Sequence, residues 1–397
     1  MARIDAHFGR AALADFGLDP GITYLNHGTV GVVPLRVLEA QQAVRLDIER
    51  QPSRFLLREL AVLPGSTGWG AEPRLRTAAE QVGHFLGARG EDLVFVDNAT
   101  TGVNAILRSL RLGAGDEILV TDHGYGGVTL AAQFVAREAG ATVREVALPR
   151  SGASAEEIVQ SIAGSISGKT RVALVDHLGS KTAQVLPIAE IAERCHAAGV
   201  RVLADGAHVP GMLPLDIESL DVDWYVGNLH KWCWAPRGTG IIWTRPEHQV
   251  DMHPTVISWG LDQGYTTEFD WAGTRDPSAW LTAPFAIELM KSVGLDEIRA
   301  HNHDLAWNGA RLLAERWGTR MEVGEEAFGS MITVPLPQLC GATDADASRL
   351  RDSLLYEDHI EIPVVAREGH LWVRVSAQIY NDYEDIERLG AAVSRRF

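Results

Sequence analysis

The chain has 397 residues, 46% hydrophobic and 22% charged, which is enough apolar material for one large or two unequal soluble domains. A formal net charge of −16 argues against nucleic acid as a general partner, because phosphate binding needs a basic surface. Cys195, Cys233 and Cys340 have neither metal-ligand spacing nor the number for a disulfide framework. No run of about eighteen apolar residues indicates a membrane span, and residues 1–17 carry scattered charges instead of an apolar signal core, so a cytoplasmic protein without a metal site is expected.

In chain order, residues 93–97 read as a short buried strand, followed from Thr101 by the helical pattern Val103, Ile106, Leu107 and Leu110. A second strand pattern at 117–121 leads to a helix over 128–139 that stops at Gly140, and a third strand is expected at 142–148. Strands at 171–176 and 201–205 flank a helix at 188–198 closed by Gly199, and strands at 224–226 and 239–244 complete the series. Short apolar runs separated by helices imply βαβ units, an α/β fold and a mainly parallel sheet. Beyond about Pro277 the pattern changes to helices at 280–293 and 298–317, strands at 330–335 and 371–376, and helices at 345–356 and 383–392, the mark of a smaller α+β domain. No internal repeat, low-complexity tract or long linker is evident.

In open parallel sheets ligands sit beyond the carboxyl ends of the strands, so the polar residues there carry the functional reading. Asn98-Ala99-Thr100-Thr101-Gly102 lies between a strand and a helix; it reads either as a phosphate cradle of first-turn amides and hydroxyls or as an ordinary N-cap. Asp205 ends a strand in Asp205-Gly206-Ala207-His208, where a carboxylate can hold a pyridine nitrogen protonated or cap the following turn. Asn228-Leu229-His230-Lys231-Trp232 follows an apolar strand. Apolar neighbours Leu229, Trp232 and Trp234 favour the neutral amine that imine chemistry requires. The chain has three other lysines: Lys169 and Lys291 read as solvated surface residues, and Lys181 in Gly179-Ser180-Lys181-Thr182 is the competitor.

The order Asn98–Gly102, Asp205–His208, His230-Lys231, Gly273-Thr274-Arg275 and Arg374-Val375-Ser376 resembles the class V aminotransferase group of fold-type I pyridoxal-phosphate enzymes. Leu25-Asn26-His27-Gly28, Phe55-Leu56-Leu57-Arg58-Glu59, Val209-Pro210-Gly211 and Ala377 with Tyr380 make it similar to the isopenicillin N epimerase-like branch, over roughly residues 20 to 395. The resemblance implies an N-terminal arm (1–25) packing with the small domain, a large cofactor-binding domain (26–276) with a seven-stranded sheet, and a small C-terminal domain (277–397). It implies pyridoxal 5′-phosphate held covalently by Lys231, which also moves the substrate α-proton, with Asp205 at the pyridine nitrogen and His208 near the ring's phenolic oxygen. Thr100, Thr101, Asn228 and His230 would hold the phosphate, with Asn98, Ala99 and Ser180 completing the cofactor set. Thr274 would reach the phosphate of a neighbouring subunit in a homodimer. Either His123 or Tyr125 would stack on the ring, Tyr125 being preferred. Arg374 would take the α-carboxylate of an amino-acid substrate, joined at the substrate by Asn26, His27 and Lys181.

Two departures bear on the reaction. Cysteine desulfurases of this group carry a nucleophilic cysteine shortly before the carboxylate-binding arginine, whereas residues 362–370 here contain none. Lys181 stands where a small polar residue is more usual, as a second base, a clamp for an acidic substrate, or a solvated loop residue. The expected chemistry is an isomerase or lyase on a modified amino acid, with epimerase first by resemblance and C–S β-lyase next. Decarboxylating or oxidative deamination and transamination follow, and a secondary-metabolic role such as antibiotic biosynthesis fits the branch. A ligand-sensing regulator would need a DNA-binding domain, and a nicotinamide dehydrogenase a G-x-G-x-x-G after a strand; neither is present. Trp232, Trp234, Trp259, Trp271 and Trp280 fall near the site segments, either as pocket lining or as interface core.

Overall fold

Twelve strands organise the computed structural model, which describes residues 8–63, 72–149, 153–321 and 323–397. In chain order they are β1 (Thr23–Tyr24), β2 (Leu93–Val96), β3 (Glu117–Thr121), β4 (Thr142–Val146), β5 (Thr170–Asp176), β6 (Arg201–Gly206), β7 (Trp224–Asn228), β8 (Gly240–Thr244), β9 (Met331–Pro335), β10 (Ile360–Glu361), β11 (Val364–Arg367) and β12 (His370–Ser376). Seven of them form the large sheet in the order β2-β8-β7-β6-β5-β3-β4, in which β8 runs antiparallel to both neighbours. This is the mainly parallel α/β architecture that the alternating pattern implies, with the seven strands that the family resemblance implies.

The side-chain period of two decides which residues meet which helix layer. Val94, Val120, Leu174, Leu203 and Val226 face helices Ala99–Ser109 and Gly126–Ala139 on one side. Phe95, Leu119, Ala173, Ala204 and Tyr225 face helices Arg74–Leu86, Ile188–Ala197 and Ser278–Val293 on the other. Burial on both faces explains why β2, β7 and β8 are buried along their whole length. The edge strand β4 instead exposes Thr142, Arg144 and Glu145, charges that discourage pairing with another chain.

The small domain is the antiparallel sheet β11-β12-β9 with helices Leu295–Trp317, Asp344–Asp358 and Tyr383–Ser394. The N-terminal segment is stitched to it: β1 pairs in parallel with β10, Gly9 donates its amide to the Ile379 carbonyl (2.7 Å), and Arg10 pairs with Asp385 (3.0 Å). The same segment reaches the large domain through Phe16, which meets the rings of Trp234 and Tyr380 edge-on. Residues 1–7 of the expected arm lie outside the described residues. Helix Ser278–Val293 follows the boundary expected at 277 yet packs on helices Leu35–Arg50 and Arg74–Leu86 of the large domain. No helix among the described residues is long and apolar enough to cross a membrane, and no group of three or more His, Cys, Asp or Glu side chains among them is placed to hold a metal ion.

The region before β2 contributes two long helices that the apolar pattern does not announce, because their buried faces are narrow and broken by exposed charges. Strand β11 is likewise short and half-exposed; it turns into β12 through Glu368 and Gly369, both at positive φ, a tight hairpin. Gly31 marks a close backbone approach that decides how the N-terminal segment meets the site: φ is 68°, and a Cβ there would stand 1.9 Å from the His230 carbonyl oxygen. Gly31→Ala is therefore expected to cost about 1–3 kcal/mol in denaturant unfolding. An unchanged midpoint would contradict that contact.

Candidate active site

The carboxyl ends of β2, β3, β5, β6 and β7 fall along one sheet edge, and the polar residues leaving them converge there. β7 runs into the short helix Leu229–Trp232, which is pinned by the buried Leu229 and Trp232 and places Lys231 at the edge. The Lys231 Nζ lies 3.2 Å from Nε2 of the buried His208. Loss of water, and secondarily the charge of Arg374, bring the Lys231 amine down to about 7, against the pull of Asp205 and Asp176. Burial first, and then the neighbouring basic groups Lys231, Arg374 and His230, hold His208 well below the usual imidazole range, so it is neutral and can accept from the amine. Its Nδ1 is buried without a hydrogen-bond partner among the described residues, an acceptor or donor left for a bound molecule.

Asp205 stands near the end of β6, buried, with Oδ1 accepting the Ala207 N–H at 3.0 Å. Burial raises its pKa, opposed by that amide and by Lys231. At the start of helix Ala99–Ser109, Asn98 is a true N-cap: its Oδ1 accepts the Thr101 N–H at 2.9 Å. The Ala99 N–H goes to Asn228 Oδ1 at 2.8 Å. Asn98 and Asn228 thus spend their side-chain oxygens on the helix start, and two of its amides are taken. The Thr100 amide, which has no acceptor within the helix, and the Thr100 hydroxyl remain as anion donors, while the Thr101 hydroxyl donates to Asn98 Oδ1 at 3.3 Å. His230 is fixed through Nδ1 on the Thr239 carbonyl (3.0 Å), and burial with the neighbouring Lys231 charge lowers it to about 4.

On the small-domain side, β12 supplies Arg374, which is 6% exposed. Its Nη1 donates to the Ser180 carbonyl at 2.6 Å and its Nη2 to Thr29 Oγ1 at 2.8 Å, while Nε has no partner among the described residues. Desolvation brings the guanidinium down to about 10. A buried cation with spare donor capacity suits a carboxylate. The Ser180 contact is through its carbonyl, and the neighbouring Lys181 is exposed.

Two expectations need correcting. His27 is completely buried; its Nδ1 meets the Tyr380 hydroxyl at 2.9 Å and its Nε2 the Lys231 carbonyl at 3.0 Å. With no exposed surface it braces the lysine's backbone, and burial lowers it to about 3. Asn26 donates to Glu361 at 2.8 Å and accepts from Thr29, so it buttresses Arg374 one residue removed. Of the two ring-stacking candidates, Tyr125 is 49% exposed, because as the N-cap of helix Gly126–Ala139 it turns outward, whereas His123 is 8% exposed and within electrostatic reach of Lys181 and Arg367. Of the two, His123 is the one that faces inward. Thr274 is exposed and shares a cleft with Thr101 of its own chain. Of the five tryptophans, Trp232, Trp234, Trp271 and Trp280 are core and Trp259 is 75% exposed.

Sequence reasoning missed Asp176, His177 and Tyr225. Asp176 sits beside Asp205 in register on the next strand, and the buried Tyr225 hydroxyl meets His177 Nδ1 at 3.1 Å below them. The available signal was the polar pair Asp176-His177 ending an apolar strand. No thiol belongs to the site: Cys195 and Cys233 are buried, burial pushing Cys195 up to about 12 and Cys233 higher still, and Cys340 lies in a turn of the small domain.

The family model described as aminotransferase class-V matches residues 65–389. The probable chloroplastic L-cysteine desulfhydrase of Arabidopsis thaliana is 32% identical, over 95% of this chain and 83% of that protein. The isopenicillin N epimerase of Streptomyces clavuligerus is also 32% identical, over 95% of both. A cystine C–S lyase, solved in complex with its reaction product cysteine persulfide, has the same fold, with a TM-score of 0.76 at 24% identity over 97% of this chain and 99% of its own.

The depressed Lys231 amine has a thermodynamic signature. Between its folded value of about 7 and its ordinary value of 10.5, the unfolded chain binds the proton that the folded chain has shed. The apoprotein should therefore gain stability as pH rises through that window, by up to about 1.4 kcal/mol per pH unit relative to Lys231→Met. Denaturant unfolding of both proteins from pH 7.5 to 9.5 measures the difference; parallel curves would mean an ordinary, solvated lysine.

Proposed function

The chain belongs to the aminotransferase class-V family, and from that premise we propose that it is a lyase that removes a β-substituent, foremost a thiol, from a cysteine-type amino acid. The family's cofactor, pyridoxal 5′-phosphate, fits the residues present: a desolvated amine at Lys231, a buried carboxyl at Asp205, an orphaned imidazole nitrogen on His208 and open donors at the helix start. Lys231 would hold it covalently, Asp205 at the ring nitrogen, His208 at the phenolic oxygen, His123 on the ring face, and Thr100, Thr101 and His230 at the phosphate. When bound, it supplies the electron sink that makes the α-hydrogen of a condensed amino acid acidic.

The protein's own groups do the rest. Arg374 fixes the carboxylate and with it which bond at the α-carbon is presented for cleavage. Lys231, close to neutral because it is desolvated, takes the α-proton, and His208 holds the amine in place at 3.2 Å. The C–S bond then breaks with its electron pair leaving on sulfur. The three-carbon remainder emerges after hydrolysis as pyruvate and ammonia.

The observation that carries this reading is the provision for a single base. Lys231 is the desolvated amine, Lys181 is exposed, and the hairpin at Arg367-Glu368-Gly369 holds no thiol to accept sulfur. Elimination needs one base, whereas persulfide formation needs a nucleophilic cysteine. Epimerisation is the second reading, and it rests on His123, which lies within reach of the Lys181 charge and could return a proton. We also infer a homodimer. Val256, Ile257 and Trp259, all more than half exposed, adjoin the cleft shared by Thr101 and Thr274, and a second copy would cover them while bringing Thr274 to the partner's phosphate.

Incubation of the cofactor-loaded enzyme with L-cysteine and S-substituted cysteines should release thiol and pyruvate in equal amounts. Accumulation of the D-amino acid without pyruvate would instead establish epimerisation. Arg374→Lys, which loses the forked donor, is expected to lower kcat/KM about 100-fold, mainly through KM. An unchanged KM would remove Arg374 from the substrate.

A further inference from the structure

Asp176 is a buried carboxyl on the floor of the site that the chemistry above leaves unused. It ends β5 and is in register with Asp205 on the adjacent parallel strand. The two side chains therefore leave the same face of the sheet about one strand spacing apart, roughly 4.8 Å. Their exposures are 3% and 4%, so neither charge is relieved by water. Asp176 Oδ2 has no hydrogen-bond partner among the described residues, and it lies 3.5 Å from the position a Cβ would take on Gly124. The backbone amide of Tyr125 is close enough to favour the Asp176 anion against the effect of burial. It thus touches, at once, the residue placed at the ring nitrogen and the turn that carries His123.

The groups around the pair come from every packed element. They are Asp205 on β6, Tyr225 on β7, Lys231 on the following helix, His177 and Lys181 after β5, His123 after β3, His208 after β6 and Arg374 on β12. Both carboxyls have groups that favour the anion, the Ala207 amide and Lys231 for Asp205 and Lys181 for Asp176, yet Asp176 is the one raised further above the usual carboxylate range. Two carboxylates this close in a dry site do not both ionise.

We infer that Asp176 is a positioning residue, a neutral carboxylic acid that packs beside Asp205 and anchors the His123 turn, so that Asp205 alone carries charge beneath the cofactor ring. The inference rests on the cofactor assignment but not on the reaction. Burial, then the Asp205 carboxylate, push Asp176 well above the usual carboxylate range, which agrees with that state. Its consequence is that the ring nitrogen meets one negative charge, and that the wall holding His123 and the floor holding Asp205 move as a unit.

Comparing Asp176→Asn with Asp176→Ala decides the matter, because Asn keeps the shape and the neutrality while Ala keeps neither the volume nor the link to the turn. In the loaded enzyme, the pH midpoint of the cofactor's visible band in Asp176→Asn should stay within about 0.3 unit of wild type, since no charge has been removed. Asp176→Ala should lose the cofactor on dialysis about ten times faster, while Asn retains it. A midpoint lowered by about one unit in Asp176→Asn would show that a buried negative charge had been removed, and would overturn the inference. Retention by Ala equal to wild type would overturn the anchoring role. Infrared difference spectra of the apoprotein give a second readout: wild type at neutral pH should show a carboxylic-acid carbonyl stretch that Asp176→Asn lacks, and its absence from wild type would refute the neutral acid. None of these measurements needs turnover, and the infrared arm needs no cofactor, so failure of the lyase reading or of cofactor loading is told apart from failure here.

Discussion

A primary amine kept out of water at the carboxyl edge of a parallel sheet is the constraint on which the rest of the site depends. Left in solvent, Lys231 would be an ammonium with neither nucleophilicity nor basicity at neutral pH. Here burial outweighs two nearby carboxyls, and the positive Arg374 adds to the effect. The fold sustains this because β7 and the helix after it are anchored by apolar side chains, so the lysine cannot swing outward without exposing Leu229 and Trp232.

Around the amine, three layers hold the geometry. The sheet provides the floor, with Asp205 and Asp176 in register. The N-terminal segment passes over the lysine helix, where His27 binds the Lys231 carbonyl and Gly31 lets the two backbones approach. The small domain then closes the arrangement through Arg374, whose two terminal nitrogens are fastened to Ser180 of the large domain and Thr29 of the N-terminal segment. Arg374 and Lys231 are therefore positioned by elements that share hydrogen bonds, although they lie far apart in the chain. The neutral His208 makes this workable, since a protonated imidazole at 3.2 Å would compete with the amine for every negative partner.

Much of this was legible in the sequence. Strands buried on both faces write themselves as continuous apolar runs, and Lys231 stood out because so few lysines exist and this one follows such a run beside tryptophan. What stayed hidden depends on contacts between distant positions. Asn98 and Asn228 turn their side-chain oxygens onto the amides of one helix start, a link between residues 129 apart in the case of Asn228 and Ala99 that only the fold reveals. His27 was expected at the substrate, and its hold on the Lys231 carbonyl comes from a contact 204 residues away in the chain. Tyr125 and His123 are two residues apart, and which one faces inward is set by where the helix begins. Asp176 showed in the sequence only as the polar end of an apolar strand, because its meaning comes from a neighbour on another strand.

The central claim is that Lys231, and no other amine, carries the cofactor. Borohydride reduction of the loaded enzyme, followed by proteolysis and mass spectrometry, tests it directly. The account predicts the added pyridoxyl mass on the peptide containing His230-Lys231-Trp232, and its loss in Lys231→Ala. Label on Lys181, or none on any lysine of a protein saturated with cofactor, would contradict it.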